Sequence, residues 1–85
     1  MRVLQFTASA ERELASLPLA IQTRFARAIP KVLEDPFRPR PGVDIRPLRG
    51  RTEWRLRIGH YRASYEVGDD SIVFVRFGHR STFYR

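Results

Sequence analysis

Cysteine is absent from these 85 residues, which excludes disulfides, thiolate nucleophiles and thiolate-ligated metal. The two histidines stand without a carboxylate cluster at ligand spacing, so no metal site and no cofactor are expected. No apolar run approaches the ~20 residues that span a bilayer. Met1-Arg2 leads into one short apolar run and then polar residues, unlike a signal peptide, so a cytoplasmic protein is expected. Internal repeats and low-complexity segments are lacking too. Lysine is nearly missing: Lys31 stands alone against 15 arginines.

Those 16 basic residues face nine acidic ones, for a net charge of +7. Such a balance favours a polyanion, an acidic protein, or both in turn. A GC-rich genome would account for arginine over lysine, but not for the clustering of basic residues on strand faces and in one loop. With 42% hydrophobic and 29% charged residues the chain has the composition of a folded protein, and its length suits one domain over residues 1–85.

Residues 2–6 suit a short strand. Thr7 or Ser9 can cap a helix starting near Ala10, with Glu11 and Glu13 in its first turn. Leu17-Pro18 breaks that helix, and a second one is expected from about Pro18 to Glu34. Ile21, Phe25, Ala28, Ile29 and Val32 form its buried stripe, while Arg24, Arg27 and Lys31 occupy the opposite face. Pro30 should kink it or loosen a turn. A basic, proline-rich connector covers 36–42, and residues 43–48 can form a strand that Pro47 confines to an edge or an end.

The segment from Glu53 to Val67 carries the clearest pattern. Its alternation has period two, and Gly59 can take the positive φ needed at the first central position of a II′ turn over Gly59-His60. That turn pairs Ile58 with Tyr61, Leu56 with Ala63 and Trp54 with Tyr65, all on one apolar face. The other face receives Arg55 across from Ser64 and Arg57 directly across from Arg62. Like charges facing each other across a ladder are destabilising by a few tenths of a kcal/mol or more, so something anionic is expected between them. The run from Ser71 to Phe77 is nearly continuously apolar and suits a central strand. A two-residue loop at Asp69-Asp70 would turn Arg76 toward the helices, whereas a three-residue loop with Gly68 would place it on the basic face. The cost of burying an unpaired arginine favours the second. The expected fold is α+β, in the order β-α-α-β-β-β-β, with a helical hairpin packed on one face of a small, mainly antiparallel sheet.

Three segments together carry a resemblance: Arg46-Pro47-Leu48-Arg49-Gly50, then Trp54 to Glu66, then Phe77-Gly-His-Arg-Ser-Thr-Phe-Tyr84. Behind an αα-hairpin they resemble the RelE/ParE superfamily of bacterial toxins from toxin–antitoxin modules, over essentially the whole chain. The superfamily holds two activities on one fold. RelE-like members enter the ribosomal A site and cut mRNA, whereas ParE-like members inhibit DNA gyrase and lack the cutting residues. The places of the RelE-like cutting residues hold Arg55, Arg57, Arg62, Arg80 and Tyr84 here, which favours that branch. The resemblance implies an acidic antitoxin as partner, and a ribosome-dependent endoribonuclease that inhibits translation. A gyrase inhibitor and a non-catalytic binding module stay open as alternatives.

In the implied reaction a ribose 2′-OH attacks the adjacent phosphate, giving a 2′,3′-cyclic phosphate and a 5′-OH. Arg57, Arg62 and Arg80 would stabilise the charge that develops on phosphate oxygens. Arg55 would hold a flanking phosphate or rRNA, and Tyr84 would stack a base and orient the 2′-OH. RelE-like members often have lysine where Arg55 and Arg57 stand, and a guanidinium cannot serve as a base, which leaves the general base open. His79 is the first substitute, with His60, Glu53 and Glu66 also in reach. Arg49, Arg51, Arg24, Arg27 and Lys31 would contact RNA. Against this stand plainer roles: Arg57 and Arg62 paired with carboxylates, Arg80 in a salt bridge, and Tyr84 packed on the last strand.

Overall fold

The computed structural model describes residues 2–48 and 52–84. Strand β1 (Val3–Phe6) leads into α1 (Ala8–Ala15), and α2 (Leu19–Glu34) follows after Pro18. Thr7 is the helix cap: its Oγ1 accepts from the Ala10 N–H at 3.0 Å. The same hydroxyl donates to the Val75 carbonyl at 3.0 Å, so the cap also ties α1 to the sheet. Helix α2 continues through Pro30, and Phe25, Ala28, Ile29 and Val32 are its buried residues, as the stripe predicts.

The remaining strands are β2 (Asp44–Pro47), β3 (Glu53–Ile58), β4 (Tyr61–Val67) and β5 (Ser71–His79). They form one sheet in the order β1-β5-β4-β3-β2, with β1 parallel to β5 and the other pairs antiparallel. Pro47 lies on the edge strand and the apolar β5 is central, both as the residue pattern requires. The helical stripe meets Ile45, Leu56, Ile58, Ala63, Tyr65, Ile72, Phe74 and Phe77 in a single core. Each large apolar side chain so buried contributes about 1.5–3 kcal/mol. Tyr65 adds a polar tie, its hydroxyl donating to the Pro36 carbonyl at 2.7 Å.

Two features depart from the expected scheme. The loop before β5 is the two-residue one, closed by the Gly68 N–H on the Ser71 carbonyl at 2.8 Å. Arg76 nevertheless reaches the basic face, because a β-bulge shifts the register between Ser64 and Tyr65 and sets Arg76 opposite Ser64. The bulge adds a residue on β5, and everything beyond it changes face. Ile72 and Phe74 are core before it, Phe77 is core after it, and a Glu13 carboxylate oxygen accepts the Phe77 N–H at 2.9 Å. The second departure is an added C-terminal turn of helix, α3 (Arg80–Phe83). Phe83 is buried outside the main core, beneath the Arg76 guanidinium at 5.0 Å, and Arg76 also donates to the Phe83 carbonyl at 2.8 Å.

Candidate functional site

Register places the arginines of the hairpin. Gly59 has φ 57° while His60 does not take positive φ, which is the II′ pattern, and Arg57 stands opposite Arg62. The like charges part by taking different partners. Arg57 Nε donates to Asp44 Oδ2 at 2.6 Å, Asp44 being its neighbour on β2. Arg62 folds back on the turn, donating through Nη1 to the Gly59 and Tyr61 carbonyls at 2.9 and 3.1 Å. Its Nε donates to the Tyr84 hydroxyl at 3.3 Å. The anion expected between Arg57 and Arg62 is thus supplied in part by the chain itself, and among the described residues the carboxylate pairing holds for Arg57 but not for Arg62.

Helix α3 is brought to the same place by its first residue, since the Arg80 N–H donates to the His60 carbonyl at 2.7 Å. The exposed Arg80 side chain joins Arg57 and Arg62 in lining a groove of roughly 700 Å³. Its other wall is the polar face of α2, with Arg24, Arg27 and Lys31. Arg24 reaches over the turn, where a Cβ on Gly59 would lie 3.5 Å from its Nη1. Six of the residues singled out by sequence therefore converge on one concave basic surface.

Tyr84 is 57% exposed and joins the cluster through Arg62. Burial alone would raise the phenol pKa, but the Arg62 hydrogen bond and the nearby Arg62 and Arg55 guanidinium charges lower it below the usual value. The phenolate form of Tyr84 is thus easier to reach than that of an ordinary tyrosine.

Arg55 does not lie on the surface where a flanking phosphate would reach it. It is 5% exposed, and its Nη2 donates to Asp44 Oδ1 at 2.9 Å. Among the described residues, its Nε and the Ser64 Oγ, on paired positions of β3 and β4, are buried without hydrogen-bond partners. His79 pairs with Tyr61 and sets its ring edge-on to the Tyr61 ring, with centroids 5.2 Å apart. Its Nδ1 accepts from the Ser81 N–H at 3.1 Å, capping α3, so the nitrogen with the free lone pair is already engaged. Arg49 and Arg51 lie outside the described residues.

Sequence reasoning missed Asp44 and Arg40. Asp44 alternates with the buried Ile45 and so shares a face with Arg46, a signal too weak to give its partner. Arg40 lines the groove but its guanidinium donates to the carbonyls of Lys31, Asp35 and Arg38, closing the end of α2. Among the described residues no group of three or more His, Asp or Glu side chains is placed to hold a metal ion, and no helix is long and apolar enough to cross a membrane.

Residues 4–84 match the family model described as ParE toxin of type II toxin-antitoxin system, parDE. The chain belongs to the ParE toxin family of type II toxin–antitoxin systems. Among the proteins it is similar to are several RelE toxins. Toxin RelE3 of Methanocaldococcus jannaschii is 40% identical over 43 residues, a match that spans about half of each chain (49%). The RelB-RelE antitoxin-toxin complex from Methanococcus jannaschii superposes with a TM-score of 0.79 at 27% identity, covering 94% of both chains. The complex RelBE2 from Mycobacterium tuberculosis gives 0.76 at 28% identity, covering 93% of this chain and 98% of that one. The isolated RelE toxin of E. coli, at 23% identity and a TM-score of 0.78, shares the fold. This toxin therefore falls on the RelE-like side of the superfamily, with helices packed on a small mixed sheet as in those structures.

Proposed function

We propose that this toxin is a ribosome-dependent mRNA endonuclease that cuts mRNA in the A site and so inhibits translation. The observation that carries the reading is the convergence of Arg57, Arg62 and Arg80 on one groove, with the Tyr84 hydroxyl held by Arg62. A phosphate in that groove meets arginine forks aimed at the oxygens that gain charge as the 2′-OH attacks. With its pKa lowered by the two arginines beside it, Tyr84 takes up the 2′-OH proton as the phenolate, or orients that hydroxyl as the phenol. His79, placed first as base from sequence, is here assigned to holding α3, since its Nδ1 is taken by the Ser81 N–H. Arg24, Arg27 and Lys31 extend the basic surface toward flanking RNA or rRNA. An acidic antitoxin covering the groove would neutralise both parts at once, and the RelB partners of the similar RelE structures support such a partner. A ribosome-dependent cutter of mRNA would act in the cytoplasm.

Brief expression in bacteria, with mapping of new mRNA 5′ ends, tests this beside an Arg80→Ala/Tyr84→Ala variant. In-frame cuts within coding regions that vanish in the variant are expected. Growth arrest with intact mRNA, equally strong in the variant, would sink the reading. It would favour the gyrase inhibition kept open from the sequence.

A further inference from the structure

We propose that Asp44 is a positioning residue of this site: one carboxylate sets the aim of Arg57 and anchors Arg55 beside the Tyr84 phenol. The proposal rests on the endonuclease reading above.

Asp44 stands opposite Arg57 in the β2–β3 ladder and two pairs away from Arg55, which lies opposite Arg46. Its Oδ2 takes Arg57 Nε at 2.6 Å, and its Oδ1 takes Arg55 Nη2 at 2.9 Å. The two arginines gain different things. A guanidinium held through Nε keeps its terminal amines as a planar fork, the shape that grips two phosphate oxygens. Arg57 is held in that way and its side chain is 52% exposed at the groove. Arg55 is the reverse, with a side chain 6% exposed. A cation so buried needs a counter-charge, and Asp44 supplies it. Arg55 in turn is one of the two groups that lower the Tyr84 pKa. One carboxylate thus governs a phosphate clamp directly and a proton acceptor through its neighbour.

The same carboxylate works against binding. Asp44 lines a groove otherwise basic, with Arg24, Arg27, Lys31, Arg62 and Arg80 around it. Its charge repels the phosphate that these residues attract. Replacement by asparagine therefore pulls affinity and chemistry in opposite directions. Removing one unit charge several ångströms from a phosphate in a water-exposed groove tightens binding roughly threefold. Losing the aim of the fork slows the reaction on the order of 10–100-fold.

The test is single-turnover cleavage of mRNA on programmed ribosomes over a range of toxin concentrations, with the unaltered toxin, Asp44→Asn and Asp44→Glu. For Asp44→Asn the half-saturating concentration should fall roughly threefold while the maximal rate falls 10–100-fold. Asp44→Glu, which restores the charge one methylene away, should return the affinity and recover part of the rate. General damage to the fold would lower the active fraction without tightening binding, and that result overturns the proposal. So does an unchanged maximal rate in Asp44→Asn. If Asp44→Asn does not fold, Asp44→Glu decides: full maximal rate there overturns the proposal. Cleavage by the unaltered toxin separates the two failures, because a toxin that does not cut removes the endonuclease reading and this proposal with it.

Discussion

Arg62 Nε donates to the hydroxyl of Tyr84 at 3.3 Å, joining the strand after the hairpin turn to the end of the chain 22 residues later. The bond brings together a guanidinium suited to phosphate and a phenol suited to a ribose hydroxyl. It also ties the phenol's ionisation to the arginines.

A pH dependence follows. Arg62 and Arg55 outweigh the opposing effect of burial and lower the Tyr84 pKa. Burial instead raises that of Tyr65, whose hydroxyl is bonded to the Pro36 carbonyl. An alkaline titration followed by phenolate absorbance should therefore ionise Tyr84 below the usual phenol range and Tyr65 above it. Because the folded pKa of Tyr84 is depressed, its ionisation stabilises the fold only as pH rises through that value and adds nothing at neutrality. Tyr65 is the opposite: its contribution is complete below pH ~10 and is lost as pH climbs toward its folded value. The cleavage rate should rise with pH until Tyr84 is ionised and then level. Tyr84→Phe should flatten that rise, and an unaltered profile in Tyr84→Phe would exclude the phenol as the proton acceptor.

Arg62 should be the least replaceable arginine of the cluster. Arg62→Lys keeps the charge but cannot serve the Gly59 and Tyr61 carbonyls, Tyr84 and a phosphate together. Cleavage should drop about 100-fold or more, with a stability loss near 1 kcal/mol from the carbonyls left without a partner. Parallel rate measurements and urea unfolding would check both numbers. A drop of less than tenfold would move the transition-state role to Arg57 and Arg80.

Much of this site was legible because the hairpin is local. The period-two pattern and Gly59 fix which residues of β3 and β4 face each other, and the Arg57–Arg62 pair emerged with its true register. What was not legible depends on contacts distant in sequence. The bulge that turns Arg76 to the basic face is set by β5 packing between β1 and β4, not by the Asp69-Asp70 loop. Asp44 acquires its partners only when β2 docks on β3, and Arg55 is buried only once that pairing exists. Helix α3 is too short to show a periodicity, so His79 read as a candidate base and not as a cap.

The α2 wall of the groove should act through charge alone. Arg24 and Arg27 are exposed, so Arg24→Ala and Arg27→Ala should leave stability within about 0.5 kcal/mol. Ribosome binding should weaken, and the slope of log affinity against log salt should fall by about 0.7 for each RNA phosphate that is no longer neutralised. Binding measured at several salt concentrations decides the matter. An unchanged slope would remove this helix from the RNA-binding surface.

His79 gives the sharpest separation of structure from chemistry. Its Nδ1 caps α3 by accepting the Ser81 N–H, and α3 carries Arg80 into the groove. Asparagine is a strong helix cap but has no titrating proton, so His79→Asn can hold the helix without acting as a base. His79→Ala can do neither. If the ring serves as a cap, His79→Asn should cut at close to the normal rate, and His79→Ala should be slower through misplacement of Arg80 and lose about 1 kcal/mol of stability. If instead both variants lose cleavage equally while His79→Asn stays fully folded, the imidazole takes part in the reaction, and the proton acceptor assigned to Tyr84 would have to be shared with His79.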